Sequence, residues 1–127
     1  MAEEAFEEVK IGLKQFAMKT ENISAIPDLV KYFQKIKLKN PLVVSPDKGG
    51  EQRAKMFASS FGSDYIALTK NRDRKTGKVK IMTSKLAVQD RDLILVDDMI
   101  STGGSIIKAT EFLKKQKCRR VFVACTH

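Results

Sequence analysis

The 127-residue sequence has few cysteines, a single histidine and no long apolar run, and each shortage excludes a class of protein. Two cysteines, Cys118 and Cys125, cannot form a disulfide framework, so a reducing cytoplasm is the expected location. Together with His127 they also lack the close cysteine pair of a zinc site. No apolar run approaches the ~20 residues of a membrane span. The acidic start, Met1–Glu4, is not typical of a signal peptide.

Positive charge is what the chain has in excess. Its formal net charge of +9 favours an anionic partner, such as nucleic acid, a phosphorylated metabolite or a membrane surface. Residues 31–91 hold this excess, with fifteen basic and five acidic side chains, whereas residues 1–30 carry three basic and six acidic ones. The densest stretch, from Lys70 to Lys80, has six basic residues and one acidic residue. Taken alone, such a run is most often a solvated surface.

The pattern of apolar residues predicts one α/β domain. Strands are predicted over 41–45, 65–68, 92–96 and 120–125, all but 65–68 expected to be buried, and helices over 27–37, 51–61 and 105–117. Apolar strands that alternate with helices are typical of a parallel sheet covered on both faces, which gives three layers. A turn at Thr76-Gly77 is expected to join the strand 65–68 to one over 78–82 as a basic hairpin. In the helix 105–117, the apolar side chains, Ile107 included, are expected to be buried.

Two features at the ends of the chain are also predicted. Near the N-terminus, Phe6, Val9, Leu13 and Phe16 recur at helical spacing, which predicts an amphipathic helix within residues 1–21. At the other end, the strand 120–125 is followed almost at once by His127, with no helix left to cover it. The domain is therefore expected to be truncated at its C-terminus.

The sharpest motif follows the strand 92–96. Two carboxylates, Asp97 and Asp98, end the strand, and small residues then lead into a helix, namely Ser101, Thr102, Gly103, Gly104 and Ser105. Backbone amides of a glycine-rich turn and a helix N-terminus together bind phosphate. The carboxylates can accept hydrogen bonds from sugar hydroxyls or hold a divalent metal near that phosphate. The structural alternative is a turn at Asp97-Asp98 followed by an ordinary helix cap.

This string, Val96 to Ser105, resembles the phosphoribosyl diphosphate signature of type I phosphoribosyltransferases. Two further stretches are similar to one group within that superfamily, the ribose-phosphate pyrophosphokinases. Val43–Gly50 followed by Arg53-Ala54 resembles their Ser-Pro-Asp-x-Gly-Gly…Arg-Ala segment, and Lys70-Asn71-Arg72 resembles the lysine-x-arginine of their catalytic flexible loop. The continuation over 73–79 looks most like archaeal members. The resemblance covers residues 22–127 and is weak over 1–21.

The resemblance implies a type I phosphoribosyltransferase-like fold and the reaction of ATP with ribose 5-phosphate to phosphoribosyl diphosphate and AMP. It implies that Ser101 to Ser105 bind the 5-phosphate, and that Asp97 and Asp98 bind the ribose hydroxyls. Lys70 and Arg72 are the implied catalytic residues, which stabilise charge on the transferred diphosphate. Asp47 is implied to help hold Mg²⁺.

By the same resemblance, residues 22–127 correspond to the C-terminal half of the enzyme without its last strand and helix. The family's first domain, which supplies ATP-binding loops and a metal-binding histidine, has no counterpart here and is implied as a natural partner. The family's tendency to assemble implies a homo-oligomer.

Two other functions stay open. The chain can be a purine or pyrimidine phosphoribosyltransferase, although that would need a base-recognition hood for which residues 1–21 leave little room. It can also be a non-catalytic, ribose-phosphate-binding half-enzyme or assembly module, which the missing ATP half favours. Neither nucleic acid nor a membrane is expected as a partner, because charge alone supports nucleic acid and no aromatic residues interleave with the basic ones.

Overall fold

The computed structural model describes residues 24–82 and 85–126, and the helix predicted within residues 1–21 lies outside this part of the chain. The helices are α1 (Ile26–Gln34), α2 (Glu51–Phe61), α3 (Lys85–Val88) and α4 (Gly104–Lys115), and a 3₁₀ turn covers Lys48–Gly50. The strands are β1 (Leu42–Ser45), β2 (Asp64–Ala67), β3 (Thr69–Arg72), β4 (Val79–Met82), β5 (Asp92–Val96) and β6 (Arg120–Ala124).

Four of the strands form a parallel sheet in the order β2-β1-β5-β6. The two central strands, β1 and β5, are buried along their whole length. Their sequences are apolar at almost every position because helices cover the sheet on both faces. Since parallel strands point the same way, the loops that follow β1 and β5 leave the sheet at one shared edge, the carboxyl edge.

The core lies in two layers, one on each face of the sheet. On one face α1 and α2 pack on the sheet through aromatic side chains, with Phe33 5.9 Å from Phe122 and 6.0 Å from Phe57 between ring centroids. On the other face α3 and α4 contribute Val88, Ala109 and Leu113. This arrangement confirms the predicted α/β fold with three layers.

The basic hairpin is present, but its first strand is not the one predicted. The strand β2 over Asp64–Ala67 belongs to the parallel sheet, and a separate strand, β3, pairs antiparallel with β4. Leu68 divides β2 from β3 because its side chain is buried in the core and its N–H donates to the Ser45 carbonyl at 3.0 Å. The turn forms at the predicted place, where the Gly77 N–H donates to the Asp73 carbonyl at 2.8 Å.

The predicted helix boundaries differ from the observed ones by a few residues, and two burial predictions are wrong. The strand β6, predicted to be buried, is only partly buried because it lies at the edge of the sheet, and Val123 is 39% exposed. Ile107 keeps 55% of its surface exposed, although its helical neighbours Ile106 and Ala109 pack into the core. Ile107 lies in the first turn of α4, about 100° around the helix from Ile106, so it does not share the face that Ile106 and Ala109 turn toward the core. Within residues 24–82 and 85–126, no helix has the length and apolar character needed to cross a bilayer.

A buried carboxylate ties together the amino ends of the strands. Asp92, at the start of β5, is fully buried and accepts a hydrogen bond from the Lys39 backbone N–H at 2.7 Å. It also accepts from Arg119 Nη1 at 2.7 Å, and from Arg120 Nε at 3.0 Å and Nη2 at 2.8 Å. The pKa of Asp92 is lowered to about 2, chiefly by the hydrogen bonds from Arg120. The hydrogen bond from the Lys39 backbone and the charge of Arg119 lower it further. This cluster lies at the edge of the sheet opposite the loops that follow β1 and β5.

Candidate functional site

The two adjacent carboxylates lie where β5 ends. The Asp97 N–H donates to the Ala124 carbonyl at 3.0 Å, which continues the pairing of β5 with β6. The next N–H, of Asp98, donates to Asp97 Oδ1 at 2.9 Å, and the Thr126 hydroxyl donates to the Asp98 carbonyl at 2.9 Å. The side chain of Asp97 is 20% exposed and that of Asp98 is 52% exposed. Both carboxylates are therefore held at a fixed backbone position and are accessible from solvent.

The segment after them opens α4 with unsatisfied backbone donors. Gly103 stands at the helix N-cap with a φ of +83°, a left-handed conformation that glycine adopts without steric cost. The first helical hydrogen bond runs from the Ile107 N–H to the Gly103 carbonyl at 2.8 Å. The amides of Ser105 and Ile106 precede that bond and so have no acceptor within the helix. The predicted phosphate loop, which we define as residues 97–105, thus presents amides with the positive end of the helix dipole.

The hydroxyl groups of the phosphate loop are available in the same place. Ser101, Thr102 and Ser105 are exposed. The Gly104 N–H donates to the Thr102 hydroxyl at 3.3 Å, which shapes the turn just before the helix. Exposed hydroxyls beside free amides form a suitable donor set for a phosphate.

The turn after β1 contributes Asp47 to the same edge of the sheet. Its Oδ1 accepts the Gly50 N–H at 3.1 Å and so caps the 3₁₀ turn, and the buried Ser45 hydroxyl donates to the Asp47 carbonyl at 2.5 Å. The other carboxylate oxygen has no hydrogen-bond or ion-pair partner among residues 24–82 and 85–126. Asp47 therefore keeps one oxygen available for a ligand.

Arg53 connects the turn after β1 to the phosphate loop, although the sequence did not single it out as a site residue. It lies in the first turn of α2, and its guanidinium is 3.7 Å (Nη1) from Asp97 Oδ1 and 3.3 Å (Nη2) from Asp98 Oδ2. The contact is made possible by the pairing of β1 with β5. The sequence signal for Arg53 was its place in the Arg-Ala pair after the glycines, but the neighbouring strand could not be known from spacing.

The two carboxyl groups beside Arg53 have opposite pKa shifts. Burial raises the pKa of the Asp97 carboxyl, and the nearby charge of Asp98 adds to this increase. The hydrogen bond between the two side chains lowers the pKa of Asp98, and the positive charge of Arg53 lowers it further. The pair consequently has one carboxylate that ionises readily and one that holds its proton more strongly.

The predicted catalytic cations lie on the hairpin. Lys70 and Arg72 occupy alternate positions of β3, so they lie on the same face of that strand, and both are exposed. The hydrogen bond from Leu68 to Ser45 anchors the hairpin at the carboxyl end of β1. In the described part of the chain, no ion pair joins Lys70 or Arg72 to the phosphate loop. The structure thus brings Asp47, Arg53 and the phosphate loop to one edge and leaves these two cations on the adjoining hairpin.

Comparison with known proteins identifies the type of domain. A family model described as "Phosphoribosyl transferase domain" matches residues 18–127. The ribose-phosphate pyrophosphokinase of Vibrio parahaemolyticus is 40% identical over 112 residues, which are 88% of this chain and 36% of that protein. The corresponding enzyme of Pyrococcus furiosus is 39% identical over 115 residues, which are 91% of this chain and 40% of that protein. The chain therefore spans well under half the length of these relatives.

Solved structures agree with these sequence comparisons. The phosphoribosylpyrophosphate synthetase from Mycobacterium smegmatis matches with a TM-score of 0.69 and 30% identity, over 81% of this chain and 33% of that one. A purine phosphoribosyltransferase from Pyrococcus horikoshii matches with a TM-score of 0.64 and 20% identity, over 80% of this chain and 68% of that one. The second match shows a shared fold. Together the comparisons confirm the resemblance found in the sequence.

Proposed function

The chain belongs to the phosphoribosyl transferase domain family, and on this premise we propose that it is the ribose 5-phosphate-binding part of a ribose-phosphate pyrophosphokinase. The proposal depends on one observation above all. Asp97 and Asp98 lie at the end of β5, and the same loop goes on to present free amides and hydroxyls at the start of α4. Identities of 39–40% to pyrophosphokinases across most of the chain favour this enzyme over other members of the family.

In the proposed complex, the 5-phosphate lies at the N-terminus of α4. The amides of Ser105 and Ile106 and the hydroxyls of Ser101, Thr102 and Ser105 donate hydrogen bonds to its oxygens. Asp97 and Asp98 accept hydrogen bonds from the ribose hydroxyls, which requires the carboxylates to face a sugar held by its phosphate. Both ends of the ligand are then bound by contiguous residues.

In the proposed reaction, the anomeric hydroxyl of ribose 5-phosphate attacks the β-phosphorus of ATP. A new bond forms between that oxygen and the β-phosphorus, the bond from the β-phosphorus to the oxygen that AMP retains breaks, and the hydroxyl proton is released. Such a transfer depends on positioned positive charge rather than on a covalent nucleophile. Lys70 and Arg72 would supply this charge if the hairpin closes over the bound substrates.

Mg²⁺ fits the residues at this edge in one particular way. In residues 24–82 and 85–126 there is no cluster of three or more His, Cys, Asp or Glu side chains that could hold a metal. Mg²⁺ bound with a nucleotide commonly takes one or two carboxylates and completes its shell with phosphate oxygens and water. The available oxygen of Asp47 meets this requirement. The ion, when bound, would neutralise charge on the phosphates of ATP.

The complete reaction needs more than these residues. We propose that the ATP-binding loops belong to a further domain, as in an enzyme of which this chain is the C-terminal half, and that the assembled protein is a homo-oligomer. The cytoplasm is the proposed location, since the enzyme's substrates are cytoplasmic metabolites and Cys118 and Cys125 are free thiols.

Calorimetric titration with ribose 5-phosphate tests the binding function. We expect saturable binding at millimolar ligand or below, and we expect the double variant Asp97→Asn, Asp98→Asn to lose it because amides cannot replace both charged acceptors. Asp28→Asn, which removes an exposed carboxylate from α1, is the matched control and should bind as the unaltered chain does. A folded, unaltered chain that gives no heat at millimolar ligand contradicts the proposal.

A different assay separates the pyrophosphokinase from its alternatives. With an ATP-binding first domain added, a pyrophosphokinase releases AMP from ATP in the presence of ribose 5-phosphate. A purine or pyrimidine phosphoribosyltransferase instead releases pyrophosphate from phosphoribosyl diphosphate when a base is supplied. Ribose 5-phosphate binding without either product would favour a non-catalytic module.

A further inference from the structure

The side chain of Arg53 reaches the two carboxylates of the phosphate loop from a different part of the chain. Its two terminal nitrogens approach different residues, Nη1 toward Asp97 at 3.7 Å and Nη2 toward Asp98 at 3.3 Å. The side chain is 26% exposed, so these ion pairs lie partly out of water. One guanidinium therefore lies within ion-pair distance of both adjacent carboxyl groups and is the counter-charge that they share.

Gly50 leaves space beside it for the guanidinium of Arg53. A Cβ atom on Gly50 would lie 3.2 Å from Arg53 Nη1 and 2.7 Å from the Ser45 hydroxyl oxygen. The second of these distances is too short for any side chain. The absence of a side chain at Gly50 thus leaves room for the arginine between the turn after β1 and the end of β5.

We propose that Arg53 is a positioning residue, whose guanidinium bridges Asp97 and Asp98 and orients them to accept the ribose hydroxyls. This inference rests on the proposed function, because it concerns the sugar end of that same site. Arginine can make this bridge because its planar guanidinium has several N–H donors and can contact two carboxylates at once, whereas the ammonium of a lysine is a single point charge. The phosphate end of the site, made of amides and hydroxyls on α4, does not involve Arg53.

This division predicts a selective effect. Without Arg53, neither carboxyl group has a cation to fix its orientation, so the sugar loses two well-placed acceptors while the amides of α4 stay in place. Arg53→Ala is expected to raise the Kd for ribose 5-phosphate about five- to tenfold, the scale of a partly exposed charged contact. The Kd for inorganic phosphate, which has no sugar, is expected to stay within about twofold.

The experiment compares four chains: unaltered, Arg53→Ala, Arg53→Lys and Lys55→Ala. Lys55 is an exposed cation two residues along the same helix, so its removal controls for the lost charge. Ribose 5-phosphate is titrated by calorimetry and inorganic phosphate by amide NMR shifts, with thermal melts to check folding. Arg53→Lys is expected to give an intermediate Kd for ribose 5-phosphate, and it carries the test by itself if Arg53→Ala does not fold.

The outcomes separate this inference from the function on which it rests. A selective loss of ribose 5-phosphate affinity in Arg53→Ala, partly recovered in Arg53→Lys, supports the positioning role. Unaltered affinity in both variants overturns it, as does an equal loss of both ligands, which would mean that Arg53 binds phosphate or only supports the fold. An unaltered chain that binds inorganic phosphate but not ribose 5-phosphate overturns the proposed function, and the inference with it.

Discussion

Replacing Asp92 with asparagine tests how strongly the buried carboxylate holds the amino edge of the sheet. Asp92 is fully buried and accepts hydrogen bonds from the Lys39 backbone and from the side chains of Arg119 and Arg120. Asparagine keeps the size of the side chain but removes its charge. It also turns an acceptor into an NH₂ donor that faces other donors.

The magnitude follows from the pKa of the carboxyl. In the folded chain it is about 2, against an ordinary value of 3.8, and the largest cause is the hydrogen bond from Arg120. At about 1.4 kcal/mol for each pKa unit, this difference corresponds to roughly 2 kcal/mol of folding free energy near neutral pH. Because Arg119 and Arg120 are each nearly half exposed, water can solvate them once the carboxylate is gone. The expected loss in Asp92→Asn is therefore about 2–3 kcal/mol, at or below the lower end of the range of about 3–5 kcal/mol for broken buried ion pairs.

The loss should depend on pH in a definite direction. The folded pKa lies below the unfolded one, so the contribution of the carboxylate is complete above the unfolded value of 3.8 and decreases as the pH falls toward 2. Near pH 3, about half of the contribution remains. The difference in stability between the unaltered chain and the variant should therefore shrink by about half, from roughly 2 kcal/mol at pH 7 to roughly 1 kcal/mol at pH 3.

Urea unfolding followed by circular dichroism measures both quantities. At neutral pH the midpoint should fall by roughly 1–2 M, given typical urea slopes. Glu111→Gln makes the same change of charge on an exposed face of α4 and should alter stability by less than about 0.5 kcal/mol. A loss in Asp92→Asn as small as this control, or a loss that stays constant between pH 7 and pH 3, would refute the reasoning.

Two further substitutions test the carboxyl edge. Gly103→Ala should cost about 1 kcal/mol of stability, measured by urea unfolding, because a φ of +83° strains any residue with a Cβ; an unchanged unfolding midpoint would contradict this. In the proposed pyrophosphokinase, with an ATP-binding domain added, Lys70→Ala should lower turnover about 100-fold while the Kd for ribose 5-phosphate stays the same. Lys75→Ala, at the exposed tip of the hairpin, is its control and should leave turnover unchanged.

Much of the fold was predictable because its signals are local. The runs Leu42–Ser45 and Asp92–Val96 are apolar at nearly every position, which indicates strands buried on both faces. Gly62 ends α2 in a left-handed conformation, as expected for a glycine after a helix. The separation of β3 from β2 was missed because it depends on burial of Leu68 in the core, a tertiary effect that alternation along the hairpin does not reveal.

The candidate site likewise has one part that the sequence predicts and one part that it does not. The local geometry of residues 97–105 could be predicted because the strand, the carboxylates, the glycines and the helix are consecutive in the sequence. The contact of Arg53 with the two carboxylates could not be predicted. It depends on β1 lying beside β5, and the sequence does not state the order of the strands. Asp97 and Asp98 are 44 and 45 residues away from Arg53 along the chain, yet their ion pairs are 3.7 Å and 3.3 Å long.

The net charge of +9 indicated an anionic partner, but it did not indicate which residues would bind it. The phosphate loop, residues 97–105, contains no lysine or arginine and carries two carboxylates, so a phosphate there would depend on backbone amides and on the helix dipole. In the described part of the chain, three arginines form ion pairs with carboxylates. Arg53 pairs with the phosphate loop, and Arg119 and Arg120 pair with Asp92. The remaining positive charge is densest on the hairpin, which is anchored at the same edge through Leu68. In the proposed function, the ligand would therefore be located first by these amides and by sugar contacts, and the hairpin would add positive charge where negative charge develops during the proposed transfer.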